Sequence, residues 1–327
     1  MAIALEQESK TEPLPQPDPR FINFAITSAD QDFFYVQGRF NKNPYNPRVV
    51  DTSPVHNAIV DRKTGATTKL EEIKPIHQYP EEWGEFLGIE DPRFARVSEN
   101  EVTGYTGVYR NGKIRVFSMV KTQYGVTVLG EEGKGACPQA DSVACRFDSN
   151  IHEISEIPLE EFTKPGLLKT DFNRFPKVQF HPNRPKEVSR AIGTGTYIPE
   201  LEKRGFRIYH GQEERDGLVR YSLFLTHFED GKWRWGEKPF MTPEQYDLVT
   251  LGRIKTRSEQ GIKIAGKEAI YDTGGIALAV DKKFDFHIPI TRDDAETSVF
   301  SSDLDDFLEH WDDGNIPWKD YLTMIPA

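Results

Sequence analysis

The sequence predicts an all-β protein, and its composition and turn pattern support this class. The chain has 327 residues, with 25 glycines and 22 prolines to form frequent turns and with 21 phenylalanines and 12 tyrosines, which favour strands. Short strand-like runs alternate with turn signals from Phe21 onward. Strands do not alternate with long helical segments, so a parallel α/β architecture is disfavoured.

Individual strands and turns follow from the local pattern. Paired strands are predicted at 32–40 and 57–62. The pair Asn111-Gly112 is the strongest hairpin signal, and it joins two strands between 101 and 122. A further hairpin is predicted at 221–235, and a last β section runs from 268 to 300.

One short helix is predicted near the C-terminus, at 302–311. Its apolar residues Leu304, Phe307, Leu308 and Trp311 have the i, i+3, i+4, i+7 spacing of one helix face, and a Ser/Asp cap precedes them. The pattern therefore indicates a helix that packs one side against the sheet-built domain.

The length favours a β-propeller among all-β architectures. About five four-stranded blades of ~60 residues account for residues 21–327 as a single domain. No clean repeat is visible, so periodicity alone leaves a sandwich or a barrel open. Residues 1–20 carry alternating prolines and are predicted to form a disordered or extended tail.

Charge and segment composition exclude several classes of function. The net charge of −11 disfavours nucleic-acid binding, which needs a clustered basic surface. No apolar run reaches the ~18 residues of a membrane span, and no basic segment opens a secretory signal, so a cytoplasmic location is expected. Cys137 and Cys145 cannot form a zinc site on their own and are expected to be reduced thiols.

The run Gly88-Ile89-Glu90-Asp91-Pro92-Arg93 contains the first candidate for catalysis. Pro92 disfavours right-handed helical geometry at Asp91, which makes Asp91 a rigidly aimed acid. The alternative is an ordinary surface turn with an ion pair that contributes almost nothing to stability.

Three other stretches concentrate polar side chains. A strand at 205–211 ends in Tyr209-His210-Gly211, which would present a hydroxyl and an imidazole at a loop. Basic residues are dense from 169 to 186, and carboxylates are dense from 291 to 297. The alternatives are a hairpin with a satisfied histidine, a solvated loop, and a turn cap or cation site.

Together these stretches resemble glycoside hydrolase family 130, the mannoside phosphorylases and related β-mannosidases. The resemblance extends from about Phe33 to Leu308 and rests on the order and spacing of several motifs. They are Gly88–Arg93, Tyr105-Thr106, Gly205–Gly211 with Phe206 in place of tryptophan, and Lys238–Tyr246. A further, weaker match is Ala295-Glu296-Thr297 with the family's Ala-Asp-Thr. The resemblance implies a five-bladed β-propeller.

The resemblance also implies an activity and a set of site residues. Asp91 would be the general acid of an inverting phosphorolysis of β-mannosides to mannose 1-phosphate. The substrate would be a small oligosaccharide, with inorganic phosphate as co-substrate and without a cofactor or metal. The implied substrate-binding residues are Arg39, Glu90, Arg93, Tyr105, Asp294 and Glu296, and the phosphate-binding residues are Lys169, Arg174, Tyr209 and His210.

Two departures from the family pattern keep alternatives open. Asn41 stands where family members carry a glutamate after the Arg-x pair, and 181–185 (His-Pro-Asn-Arg-Pro) is an altered form of the family's His-Arg-Pro phosphate element. Hydrolysis of the same β-mannosides is therefore the first alternative. A non-catalytic carbohydrate-binding propeller and an arabinanase-like or fructosidase-like hydrolase are the others. The oligomeric state stays open, with a homo-oligomer as one alternative.

Overall fold

The computed structural model of the protein describes residues 21–40, 54–73, 84–97, 100–111, 113–122, 125–128, 136–139, 142–145, 150–162, 173–249, 267–268, 270–272, 274–292 and 296–323. In these ranges the chain forms five small, largely antiparallel sheets arranged as a five-bladed β-propeller. The predicted all-β class and propeller architecture are confirmed. The tail predicted at 1–20 lies outside the described residues.

Each blade takes its strands from one continuous stretch of the chain. The first strands of blades 1, 2 and 3 contact one another across the blade boundaries, which places them next to the central axis. Blade 1 contains β1 (Phe21–Ala29), β2 (Phe33–Phe40), β3 (Val55–Asp61) and β4 (Thr67–Glu72); blade 2 contains β5 (Glu85–Val97), β6 (Asn100–Asn111), β7 (Lys113–Thr122) and β8 (Gly125–Val128). Blade 3 contains β9 (Ala136–Gln139), β10 (Ser142–Cys145), β11 (Glu153–Pro158) and β12 (Lys177–Gln179).

Blades 4 and 5 each contain one additional strand. Blade 4 contains β13 (Ala191–Thr194), β14 (Phe206–Arg215), β15 (Leu218–Glu229), β16 (Lys232–Trp235) and β17 (Lys267–Glu268), which pairs in parallel with β15. Blade 5 contains β18 (Ile270–Asp272), β19 (Ile276–Val280), β20 (Lys283–Arg292), β21 (Glu296–Asp303) and β22 (Asp320–Thr323). Both β18 and β19 pair with the same edge of β20, so together they form the first strand of blade 5.

The described helices are short. They are α1 (Leu159–Phe162), α2 (Pro199–Glu202), α3 (Pro243–Val249) and α4 (Leu304–Glu309). Within the described part of the chain, none of them has the length and apolar character needed to cross a membrane. Helix α4 confirms the predicted helix, and its Leu304, Phe307 and Leu308 are buried. The predicted side-chain cap is wrong, because Asp303 instead accepts hydrogen bonds from Lys319 and Lys283.

Apolar side chains fill the spaces between neighbouring blades. Separate buried clusters lie between blades 1 and 2, 2 and 3, 3 and 4, 4 and 5, and 5 and 1. The largest one joins blades 4 and 5 through residues such as Leu223, Phe286 and Phe300, and α4 packs on it. Burial of these faces excludes water from each interface and stabilises the ring of blades.

Blades 1 and 5 close the ring through a tight backbone contact. The N–H of Ile26 donates to the carbonyl of Gly274 over 2.9 Å. A Cβ on Gly274 would lie only 2.5 Å from the Cβ of Ala25, so this approach requires glycine. This contact joins the first strand of blade 1 to the segment just before β19 in blade 5, near opposite ends of the sequence.

Most predicted hairpins are confirmed, with one correction that affects the site. The strands at 33–40 and 55–61 pair, as do 100–111 with 113–122 and 218–229 with 232–235. Tyr209-His210-Gly211, however, does not end a strand at a loop. The strand β14 continues to Arg215 and pairs with β15 along its whole length, although Gln212–Arg215, the residues after the glycine, are all polar.

Candidate functional site

Buried polar side chains lie on the first strand of every blade. Regular blades bury apolar side chains against their neighbours, so a set of buried polar groups near the axis is a candidate site. The residues are at most about one-tenth exposed. They are Asn23 in blade 1, Asp91 in blade 2, Gln139 in blade 3, Thr194 in blade 4 and Asp272 in blade 5.

Asp91 occupies a β-bulge in β5. Glu90 pairs with Thr106 and Arg93 pairs with Gly104, so Asp91 and Pro92 together face the single residue Tyr105. The φ angle of Asp91 is +49°, which is left-handed rather than the extended conformation that a following proline usually favours. Asp tolerates this region better than most residues. The bulge turns the Asp91 side chain out of the regular alternation of the strand.

Two donors from blade 1 fix the Asp91 carboxyl group. Arg39 Nη1 on β2 donates to Asp91 Oδ1 over 3.1 Å, and Asn23 Nδ2 on β1 donates to the same oxygen over 3.3 Å. The Arg39 side chain is 3% exposed and that of Asp91 is 12% exposed. The carboxyl group is therefore held in a defined orientation while part of it remains accessible to a ligand.

The structure brings together some of the predicted substrate-binding residues. Arg39 contacts Asp91, and Tyr105 lies opposite the Asp91 bulge, with its hydroxyl donating to Gln37 Oε1 over 3.3 Å. Arg93, two residues after Asp91 in β5, is 1% exposed. Glu90 precedes Asp91 in β5, Glu296 begins β21, and Asp294 lies outside the described residues.

The predicted phosphate-binding set is not assembled as one group. Tyr209 and His210 are consecutive residues of β14, so their side chains point to opposite faces of the sheet. His210 is buried beside Tyr221, with ring centroids 5.8 Å apart. Arg174 is exposed and stacks over Phe175 shortly before the outermost strand of blade 3. Lys169 lies outside the described residues.

The packing of Tyr209 argues against a part in phosphate binding. Its ring is fully buried between blades 3 and 4, against Phe180 and Trp235. Its hydroxyl lies 3.5 Å from Arg207 Nη1, and burial raises the pKa of the phenol. Tyr209 therefore contributes to the interface between two blades and is not exposed to a ligand.

The altered His-Pro-Asn-Arg-Pro element lies on the outer edge of the propeller. The N–H of His181 donates to the carbonyl of Trp233 in β16, the outermost strand of this part of blade 4. A cleft of about 510 Å³ there is lined by His181, Asn183, Arg184 and Pro185, together with residues near β16 such as Arg234. Asp91 is on the first strand of blade 2, so this element does not form part of the same site.

Sequence reasoning missed the polar contacts that join the blades near the axis. Thr196 N donates to Asp272 Oδ2 over 2.6 Å, and the carbonyl of Gly195 accepts from Cys137 Sγ over 2.8 Å and from Gln139 Nε2 over 3.2 Å. Blades 3, 4 and 5 are tied together in this way. A polar residue at the end of a short apolar run, as in Ile-Tyr-Asp at 270–272, is the signal that could have found them.

The described residues contain no group of three or more His, Cys, Asp or Glu side chains placed to hold a metal ion. Asp293 and Asp294 lie outside the described ranges.

Solved structures share this fold over most of their length. A mannose phosphorylase from Leishmania mexicana in complex with a phosphate ion has a TM-score of 0.57 at 12% identity, covering 97% of this chain and 95% of that one. This protein shares its five-bladed β-propeller fold with that phosphorylase. A structure from the GH130 family of mannoside phosphorylases, which contains hydrolases of β-1,2-mannosidic linkages in Candida mannan, has a TM-score of 0.52 at 13% identity and covers 89% and 86% of the two chains.

A glycosyl hydrolase from Bacteroides ovatus is similar to the same extent. Its TM-score is 0.52 at 14% identity, with 89% of this chain and 86% of that chain covered. No family model matches the sequence, and no curated protein matches it. The similarity agrees with the GH130 resemblance of the sequence motifs, and at these identities it establishes the fold.

Proposed function

We propose that the protein is a carbohydrate-active enzyme that cleaves β-mannosides, with Asp91 as the general acid. The geometry of Asp91 carries the proposal: it is a nearly buried carboxyl group near the propeller axis, in a left-handed bulge, oriented by Arg39 and Asn23. Glycoside cleavage requires a carboxylic acid beside the leaving oxygen. The mannoside class is supported by the motifs around Asp91 and by GH130 proteins of the same fold.

The proposed reaction is an inverting phosphorolysis. Because Asp91 Oδ1 accepts two hydrogen bonds, the transferable proton sits on Oδ2. Oδ2 gives this proton to the glycosidic oxygen as the bond from that oxygen to C1 breaks, while an oxygen of inorganic phosphate attacks C1 from the opposite face. The products are α-mannose 1-phosphate and the released sugar, whose new hydroxyl carries the proton. Phosphate arrives as an anion, so no second protein carboxylate has to act as base.

The remaining site residues have assigned parts in this proposal. Arg39 keeps its positive charge beside Asp91, and Tyr105 borders the bulge that carries the acid. Arg93, buried two residues after Asp91, is proposed to contact the mannosyl ring. Glu90, Asp294 and Glu296 are the carboxylates proposed to bind sugar hydroxyls. The phosphate-binding part is proposed for His210 and Lys169, since Tyr209 is packed between two blades and Arg174 lies exposed beside the outermost strand of blade 3.

Hydrolysis of the same substrates is the second candidate, and the position of Tyr209 favours it. The altered element at 181–185 lies at the outer edge, and Tyr209 is buried, so two of the features expected at a phosphate site are displaced from Asp91. Attack by water needs a base to remove a proton. Glu296, at the start of β21, is the proposed base in that case.

Product analysis tests the proposal and separates the two reactions. Purified protein is incubated with β-1,4-mannobiose, β-1,2-mannobiose and mannosyl-glucose, each with and without inorganic phosphate. Phosphate-dependent release of mannose 1-phosphate supports phosphorolysis, and release of mannose without phosphate supports hydrolysis. Saturable sugar binding without any product would refute the enzyme and leave a carbohydrate-binding propeller.

The role of Asp91 is tested with a matched pair of substitutions. Asp91→Asn should lower turnover by about 10²-fold or more, because an amide cannot supply the proton. Asp281→Asn is the control, since Asp281 also has a positive φ (+55°) but lies exposed in the turn between β19 and β20. Equal turnover of both variants would show that Asp91 is not the acid.

A further inference from the structure

Two non-glycine residues inside strands have a left-handed backbone conformation, and their side chains contact each other. In the described ranges the non-glycine residues with positive φ are Asn23, Asp91, Asp216, Asp230 and Asp281. The last three lie in turns that join adjacent strands. Asn23 and Asp91 instead lie in the first strands of blades 1 and 2, and both are buried.

The two bulges have the same geometry. In β1, Ile22 pairs with Arg39 and Ala25 pairs with Gln37, so Asn23 and Phe24 face one residue of β2. The Asp91 bulge in β5 has the same two-against-one arrangement, and φ is +51° at Asn23 and +49° at Asp91. A non-glycine residue in this conformation costs about 1 kcal/mol or more and persists where its surroundings fix it.

The surroundings of Asn23 extend over three blades. Its backbone N–H donates to Thr297 Oγ1 in blade 5 over 3.0 Å, and the Thr297 hydroxyl lies 2.8 Å from that of Thr291. Its side-chain amide donates to Asp91 Oδ1 in blade 2. The backbone of Asn23 is thus anchored on one side while its amide group reaches the carboxyl group on the other.

We infer that Asn23 is a positioning residue for Asp91, which fixes the rotation of the carboxyl group through a hydrogen bond to Oδ1. This inference rests on the proposed function for its catalytic consequence. Arg39 donates a charged hydrogen bond to Oδ1, and the Asn23 amide donates to the same oxygen from a second direction. Two donors on one oxygen fix the rotation of the carboxyl group and thereby define where Oδ2 points. A misplacement of about 1 Å in such a group can cost about 10²-fold in rate.

Three substitutions separate the amide group from the backbone conformation. Asn23→Gly removes the amide but tolerates positive φ, so the bulge is kept. Asn23→Asp keeps the shape, removes the donor and places a second carboxyl group beside Asp91. Asn23→Ala removes the amide and also adds backbone strain, so it should unfold at a lower temperature than Asn23→Gly.

The expected kinetic result is a loss in kcat with little change in KM. Asn23→Gly should lower kcat by about 10- to 100-fold and leave KM within about threefold, because the proton donor is misoriented while the sugar contacts remain. The alkaline limb of the kcat profile should move to higher pH, since a donor that favours the carboxylate has been removed. Unchanged kcat and an unchanged pH profile would overturn the inference, even if Asp91→Asn is inactive.

A second readout does not depend on turnover. The ¹³C carboxyl resonance of Asp91, assigned by its absence in Asp91→Asn, is titrated by NMR in the wild-type protein and in Asn23→Gly. A higher midpoint in Asn23→Gly supports the positioning role, and an identical midpoint overturns it. If the wild-type protein releases no product from any mannoside, the proposed function fails, and this titration still decides whether Asn23 controls Asp91.

Discussion

Replacement of Arg207 should destabilise the interface between blades 3 and 4. Arg207 Nε and Nη2 each donate to a carboxylate oxygen of Glu202 over 2.6 Å, and Nη1 donates to Glu156 Oε1 over 2.6 Å. The guanidinium also lies 4.7 Å from the centre of the Trp233 ring. Its side chain is 11% exposed, and those of Glu156 and Glu202 are 16% and 24% exposed.

The size of the effect follows from what Arg207→Met leaves behind. Three charge-assisted hydrogen bonds at about 1.5–3 kcal/mol each would sum to about 4.5–9 kcal/mol. This sum is an upper bound, because Glu156 can take up a proton and Glu202 is partly hydrated. Removing one partner of a buried ion pair typically costs about 3–5 kcal/mol. At about 2 °C per kcal/mol for a chain of this size, Tm should fall by about 6–10 °C.

The loss should shrink at acid pH. Burial raises the pKa of Glu156 above its ordinary value of 4.5, against the opposing effect of Arg207. Without Arg207 the native pKa rises further, so the folded variant binds a proton that the unfolded chain releases. The stability that this proton gives the folded variant is therefore fully present below pH 4.5, and it is lost as the pH rises through the native pKa of Glu156.

Urea unfolding at pH 7.5 and pH 5 measures both effects. Arg234→Met is the matched control, because Arg234 also contacts two carboxylates, Glu229 and Asp312, and lies over a Trp ring. The Arg234 side chain is 38% exposed, so its replacement should cost about 1 kcal/mol or less of stability. Adding Glu156→Gln to Arg207→Met should restore part of the loss. The reasoning is refuted if Arg207→Met costs no more than Arg234→Met, or if its cost is the same at both pH values.

Two further predictions concern the contact between blades 5 and 1. Burial and the positive charges of Arg62 and Lys319 lower the pKa of His287 from 6.5 to about 4, against the opposing effect of Asp285. The free energy of unfolding should therefore fall by about 3 kcal/mol as the pH drops from 6.5 to 4. His287→Gln should remove this part of the pH dependence of Tm, and parallel curves of Tm against pH for the variant and the wild-type protein would contradict the prediction. Gly274→Ala should cost about 1–3 kcal/mol beyond Gly217→Ala, which has positive φ but open space, and equal urea midpoints would refute the steric argument.

The fold could be predicted from local patterns because each blade is built locally. Apolar–polar alternation and turn residues define the hairpins, and the helix face at 304–308 follows its own spacing. The number of blades followed from length together with the family resemblance. The alternation rule also argues against a joint phosphate site for Tyr209 and His210, because consecutive strand residues face opposite sides.

The candidate site could be predicted only in part. Asp91 was found because a proline follows it and because its motif resembles a family signature. Asn23 carries no such mark, and its role depends on a partner 68 residues away and on Thr297, which is 274 residues away. The same holds for Asp272, whose contact with Thr196 spans 76 residues. Such pairings arise from closure of the ring, which a local pattern does not encode.

The two bulges are the positions where β1 and β5 depart from regular strand geometry. Along an ordinary strand, side chains alternate between the two faces of the blade, and both faces are packed against neighbouring blades. An inserted residue in left-handed conformation departs from this alternation, and Asn and Asp are the non-glycine residues that tolerate the conformation best. The local strain at Asn23 and Asp91 therefore gives the Asp91 carboxyl group an orientation that regular strand pairing does not provide.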